Sequence, residues 1–452
     1  MVNRTLIAPQ ALLPDGWADD VRIEIDATGT IEQITPHSAT RDGVHLAGPV
    51  VPGMPDIHSH AFQRAFAGRA ERGADARGNL WTWRSAMYGL AGRISPDDLE
   101  AIAAQLYVDL LRGGYTAVAE FHYLHHQPDG TPYANRAEMS ERLIAGANAA
   151  GIGLTLLPVF YRWSDFGSAP PLAEQRRFVS DLDGYAALLD ALAPPLRGPQ
   201  HRLGIAPHSL RAVNPDDLRD VLALRAERDP RMPVHLHIAE VAAEVERARA
   251  VLGARPVEWL LANAPVDANW CAVHATHLVA DESRALAHSE AVVGLCPTTE
   301  ANLGDGLFAW EPFAAAGGRA GIGSDSNAGL DPAEEVRWLS YGQRLRDRRR
   351  DVTPSPNELY VACARDGARA CGRPLGELAA GKRADLVVLD PTHPALAGGD
   401  RETLLDRWIV AGGAACVRDV YVGGDHLIRE GTHRNAPAIH TRYTATMNRL
   451  WP

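Results

Sequence analysis

Residues Pro52–Gly68 read PGMPDIHSHAFQRAFAG. His58 and His60 flank Ser59 at the end of an apolar run, and Gln63 follows three residues after His60. Side chains alternate between the two faces of a strand, so His58 and His60 point the same way and Ser59 points the other. Two imidazoles side by side at a strand end suit one cation, provided that further ligands come from elsewhere in the chain. The fold therefore turns on whether the rest of the sequence repeats this pattern of a short apolar strand that ends in polar chemistry.

It does. The segments GPVVPGMPDI (48–57), TAVAEF (116–121), LTLLPVF (154–160), RLGIAP (202–207), VHLHI (234–238), WCAVHA (270–275), AVVGLC (291–296) and AGIGSD (320–325) make eight candidate strands. Most are too apolar for a sheet with one wet face and suit strands covered on both sides. Between them lie helical stretches such as PDDLEAIAAQLYVDLLRGG and VAAEVERARAVLG, many of which start after Asp or Pro and stop at Gly. Eight β-α units in succession predict an α/β fold, a closed (β/α)8 TIM-like barrel rather than an open doubly wound sheet.

The two chain ends read differently. VRIEIDATGTIEQITP carries two alternating runs about an Asp-Ala-Thr-Gly turn, a hairpin signal. ADLVVLD and CVRDVYVGGDHLIREG, after residue 375, have the same strand-and-glycine character. The expected organisation is residues 1–50 and 376–432 forming one small β-sandwich domain, a barrel over 51–375, and a tail over 433–452 with no assigned fold.

The chain has 452 residues and a net charge of −11, with 46% hydrophobic residues, enough for a large core. The one basic run, RLRDRRR (Arg344–Arg350), reads as a solvated helix end, so a nucleic-acid partner is not expected. Five cysteines are scattered without a CxxC pair, and no segment reaches the roughly 18 apolar residues of a membrane span. These features predict a cytoplasmic protein without disulfides or membrane contact. Lys382 is the single lysine of the chain.

The polar residues cluster at strand ends. His58 and His60 end the first strand, His122 and Tyr123 follow the second, and His208 and Arg211 follow the fourth. His235 and His237 share a face of the fifth, with Glu240 three residues past His237. His274 lies in the sixth and Asp325 ends the eighth. In a barrel these ends converge on one face, where active sites lie. Three histidines and an aspartate would hold a catalytic divalent ion and leave a position for water. Spacing alone leaves His235 and His237 equal as the third histidine.

PGMPDIHSH, HLHIAE, VHATHL, GIGSDSN and GKRADLVVLD, in this order over nearly the whole chain, resemble the amidohydrolase superfamily. The resemblance implies His58, His60, His237 and Asp325 as metal ligands and selects His237 over His235. It implies Glu240, His274 and Asp325 as the catalytic, proton-handling residues. Two-metal members bridge their ions with a carboxylated lysine at the end of strand four. The only lysine here is Lys382, so one ion is expected, zinc or else ferrous iron, in the deaminase-like branch. HSHAFQRAFAG, NLWTWRSAMY, EFHYLHH, APHSLRAV and CPTTEANLGDGLF resemble the members that deaminate N-formimino-L-glutamate in histidine degradation. By that resemblance Gln63, Arg84, Tyr123, His208 and Arg211 contact substrate, and the protein is a homodimer.

The residues and the resemblance agree on charge. N-formimino-L-glutamate carries two carboxylates, and arginine's rigid fork pairs with a carboxylate through two bonds, which suits Arg84 and Arg211. A deaminase of guanine, thiomethyladenosine or a triazine would instead offer stacking and amide contacts to a flat ring. A structural or interaction protein on the same fold would be expected to lose the metal ligands, and all four are present.

Overall fold

The computed structural model describes residues 4–69, 71 and 80–452. Asn79, which opens the NLWTWRSAMY tract, lies outside them. Each of the eight candidate segments contains strand. The barrel strands are Met54–Ser59, Tyr115–His122, Gly153–Phe160, His201–Leu203 with Ala206–Pro207, Val234–Ile238, Trp270–His274, Val292–Leu295 and Arg319–Ile322. Strands one to four pair in parallel as one sheet and strands five to eight as another. Parallel bridges Ile205–Val234 and Ser209–His237 join strand four to strand five, and Ser59–Asp325 joins strand one to the end of strand eight. The barrel therefore closes at the strand ends that carry the polar residues.

The sequence reading differs from the structure at its first segment, 48–57. Val50–Pro52 is a strand of the small domain, and the barrel begins at Met54. The break falls at Gly53, where a Cβ would lie 2.2 Å from the Thr116 side chain of strand two. Val50–Pro52 pairs antiparallel with Leu386–Leu389 and meets Arg4–Leu13 at Ala11–Val50. It thus knits the two chain ends into one ladder of strands, which encloses Leu6, Val21, Ile23, Ile25, Leu386 and Val388. The hairpin expected at residues 21–36 is present, with Ile23 opposite Ile34.

Helix Pro96–Gly113 shows why the barrel helices form where they do. Ser95 and Asp98 make a reciprocal capping box, a proline opens the first turn, and Gly114 ends the helix with φ +108°. The final segment packs against this helix. Ala436–Leu450 is itself helical, with Arg442 paired to Glu100 at 2.8 Å and Arg449 paired to Asp98. Trp451 Nε1 donates to Ala65 O at 3.0 Å, so the chain end braces the short helical turn Ala61–Phe66 that carries Gln63. No described helix is long and apolar enough to cross a membrane, and the five cysteines are buried and unpaired.

The loop after strand two is fixed by buried polar groups. His125 donates to Val159 O at 3.0 Å, and burial, helped by the nearby His126, pushes its pKa down to about 3. It is therefore neutral in the folded protein, while an unfolded histidine titrates near 6.5. Below pH 6.5 the unfolded chain binds the extra proton, so folding loses up to about 1.4 kcal/mol per pH unit from this residue until pH reaches about 3. His125→Gln is expected to lower the drop in unfolding free energy between pH 7 and pH 5 by about 2 kcal/mol. An unchanged drop, measured by urea unfolding at both pH values, would show that His125 is charged in the fold.

Candidate metal centre and active site

The ligand candidates meet at the closed end of the barrel. Asp325 Oδ1 lies 3.5 Å from His58 Nε2 and 3.2 Å from His60 Nε2. His237 Nε2 lies 3.0 Å from His58 Nε2. Strands one and eight are tied together here. Asp325 N donates to His58 O, His60 N donates to Asp325 O, and Asn327 Nδ2 donates to both His60 O and Asp325 O. Below them, buried Asp56 accepts from His58 N, Ser324 N and Ser324 Oγ. Burial raises the Asp56 pKa to about 7 despite those bonds.

The donor set fits a cation. His60 Nδ1 donates to Phe121 O at 2.8 Å and His237 Nδ1 donates to His208 O at 3.1 Å, which leaves both Nε2 atoms bare and facing inward. Burial lowers the pKa of His58 to about 3 and that of His237 well below its ordinary value, so both rings are neutral, the form that ligates a metal. Asp325 is held far below the usual carboxylate range. Burial works against its charge, but the bonds and charges of His58, His60 and His274 outweigh it. Neutral Nε2 atoms packed around an ionised oxygen are what a divalent ion would satisfy. His58, His60 and Asp325 form one such group, and His58, His237 and His274 form an overlapping one.

His235 and His237 differ in their partners. His235 sits two residues earlier on the same face and donates Nε2–H to Ala370 O at 2.8 Å. Its ring is committed to the helix Pro356–Ala370, while the His237 ring stands among the ligand candidates.

Above the ligand candidates opens a cleft. It is lined by His60, His237 and Asp325, by Glu240 and His274, and by Gln63, Arg84, Tyr123, His208 and Arg211. Of the site residues that the resemblance implies, only His58 is absent from the lining, being fully buried beneath it, and the strand-end residues His122 and His235 also lie outside it. Glu240 faces Arg211 at 3.9 Å. The turn that presents Glu240 has Ala239 at φ +50°, and the carboxylate of Glu244 accepts from the backbone N–H of both Ala239 and Glu240. Gln63 Nε2 donates to Tyr123 OH at 2.7 Å, while its buried Oε1 has no partner among the described residues and remains available as an acceptor.

His274 lies between two carboxylates. Nε2 is 3.8 Å from Asp325 Oδ2, and Nδ1 is 3.3 Å from Glu300 Oε1. Burial opposes charge on the ring, but the Glu300 bond and the charges of Glu240, Asp325 and Glu300 raise its pKa to about 10. His274 and Asp325 both adopt left-handed backbone, with φ +68° and +46°, a conformation that costs about 1 kcal/mol or more for residues other than glycine. The strand ends are thus bent to aim these side chains inward.

Sequence reasoning did not reach Glu244, Glu300, Tyr161 and Phe178. Tyr161 follows strand three as Tyr123 follows strand two, so the same strand-end rule would have found it. Phe178 comes from a long loop, and Glu244 and Glu300 from helices, where no periodic signal marks them.

The model of the Amidohydrolase family matches residues 50–427, and that of "Formimidoylglutamate deiminase HutF, N-terminal domain" matches residues 4–44. Formimidoylglutamate deiminase of Pseudomonas aeruginosa is 51% identical over 434 residues, 95% of each chain. The solved structure of an amidohydrolase from Brucella melitensis superposes with a TM-score of 0.94 at 46% identity, covering 99% of this chain and 100% of that one. An adenosine deaminase from Xanthomonas campestris, solved with bound zinc, shares the fold, with a TM-score of 0.81 at 22% identity over 99% and 98% of the two chains. The closed barrel, its cluster of buried histidines and aspartate, and these matches make the chain a metal-dependent hydrolase of C–N bonds that belongs to the amidohydrolase family, on the branch of the formimidoylglutamate deiminases.

Proposed function

We propose that the protein hydrolyses N-formimino-L-glutamate to N-formyl-L-glutamate and ammonia, a step of histidine degradation. The observation that carries this reading is that carboxylates and guanidinium groups line one cleft. Glu240 and Asp325 share it with Arg84 and Arg211, and Glu240 stands 3.9 Å from Arg211. A substrate that carries both a basic amidine and two carboxylates matches that lining, and a flat neutral heterocycle does not.

His58, His60, His237 and Asp325 would hold one divalent ion, and three imidazoles with one carboxylate suit zinc. When bound, the ion supplies Lewis acidity that makes water a nucleophile near neutral pH. Arg84 and Arg211 bind the carboxylates, and the free Oε1 of Gln63 accepts an N–H of the substrate. Tyr123 holds Gln63, and His208 closes the wall beside it, its ring 5.9 Å from that of Tyr123. His274 and Asp325 orient the water, and the ionised Asp325 accepts its proton. Glu240 protonates the imine nitrogen, water adds to the formimidoyl carbon, and Glu240 carries a second proton to that nitrogen. The C–N bond then breaks, with ammonia leaving and the formamide oxygen coming from water. The reading includes a cytoplasmic homodimer without a nucleic-acid partner.

The test is ammonia release from N-formimino-L-glutamate beside guanine, methylthioadenosine and a triazine. Turnover confined to a heterocycle would overturn the assignment. Arg211→Met is expected to raise KM for N-formimino-L-glutamate by about 10- to 100-fold, from loss of a charged hydrogen-bond pair, with a smaller change in kcat. An unchanged KM would remove Arg211 from carboxylate binding.

A further inference from the structure

Glu300 is a buried carboxylate on the helix Pro297–Leu303, directly after strand seven. Its backbone is held by its own N–H to Cys296 O and by the N–H groups of Gly304 and Asp305 on its carbonyl. One side-chain oxygen, Oε1, serves two donors, Cys296 N at 2.9 Å and His274 Nδ1 at 3.3 Å. Glu300 is not part of the cleft lining, whereas the His274 ring is. The ring is also stacked on His237, with centroids 5.6 Å apart and an interplanar angle of 11°.

A carboxylate that accepts from Nδ1 decides which imidazole nitrogen carries the hydrogen. Nδ1 keeps its hydrogen on Oε1, and Nε2 is the nitrogen that faces the cleft and a water on the Asp325 side. The same Oε1 ties the ring to the backbone at Cys296, where strand seven gives way to its helix, so ring orientation is coupled to barrel geometry rather than to a mobile loop. A buried carboxylate is costly unless such bonds satisfy it, and here the bonds lead to the one ring that needs orienting.

We propose that Glu300 is a positioning residue that acts through His274, fixing its tautomer and aim without touching substrate or metal. This rests on the role given to His274 under the proposed function. Glu300→Gln keeps the shape but loses the charge, and its amide can present either an acceptor or a donor to Nδ1. It is expected to lower kcat by about 10- to 100-fold, the usual cost of removing such an orienting partner, with KM within about twofold and metal content unchanged. In a His274→Ala background the same substitution is expected to cost nothing further, because the ring it acts on is gone. Should Glu300→Gln fail to fold, Glu300→Asp, which keeps the charge but shortens the reach, is expected to show the same loss in kcat alone.

The proposal falls if Glu300→Gln, or Glu300→Asp in its place, keeps native kcat while His274→Ala is impaired. It also falls if the two losses add in full, or if the loss appears only as reduced metal content or raised KM, as packing alone would give. Native turnover by His274→Ala would instead overturn the reading beneath it, and the positioning role with it.

Discussion

Glu240→Gln is expected to lower kcat for ammonia release by about 10²- to 10⁴-fold, the usual contribution of a positioned acid-base group. The reasoning is geometric. The turn after strand five fixes Glu240, because Glu244 holds the backbone N–H of both Ala239 and Glu240. The carboxylate faces the cleft opposite Arg211. Glutamine fits the same space but cannot pick up a proton from the cleft and deliver it to the imine nitrogen. Metal content should stay native, since Glu240 belongs to none of the ligand groups, and KM should change far less than kcat. The check is steady-state ammonia release together with metal analysis of the purified variant. Native turnover with a full complement of metal would exclude Glu240 as the proton carrier.

Removal of the ion is expected to be comparably severe. Lewis-acid assistance supplies several kcal/mol of barrier lowering, so the metal-depleted protein should turn over on the order of a thousandfold more slowly or worse. Asp325→Asn should reproduce the loss, and added zinc should restore only the native chain. The effect should extend to stability. The inward Nε2 atoms of His58 and His237 stand 3.0 Å apart, and the Asp325 charge is buried beside His58 and His60. Binding an ion relieves both, so the thermal midpoint should rise on metal addition by an amount that grows with metal concentration. Native turnover after chelation, or a midpoint indifferent to metal, would contradict the ligand assignment. Metal analysis should give one ion per chain.

The barrel and the cluster of ligand candidates were legible because both depend on chemistry that the sequence states locally. A strand buried on both faces must be apolar, so His58, His60, His237 and Asp325 at strand ends stand out against it. Alternation on the strand put His58 and His60 on one side without reference to anything else. It could not separate His235 from His237, because that depends on which ring a helix more than 130 residues later engages. The helix Ala436–Leu450 was unreadable for a different reason. Only Ile439 and Leu450 are buried on it, so it shows no apolar stripe, and ion pairs such as Arg442–Glu100 help to hold it. Glu300 and Glu244 were missed because a carboxylate on a helix looks solvated until its neighbours are known.

The end of strand four has a consequence for assembly. Ala206–Pro207 runs straight into His208, whose ring packs 4.9 Å from His237, so the place where two-metal relatives carry a carboxylated lysine is filled by an imidazole. A carboxylated lysine must be made from dissolved carbon dioxide before the second ion can seat. Nothing in this centre requires that reaction. Loading of the cation is therefore expected to be independent of the bicarbonate supply around the protein.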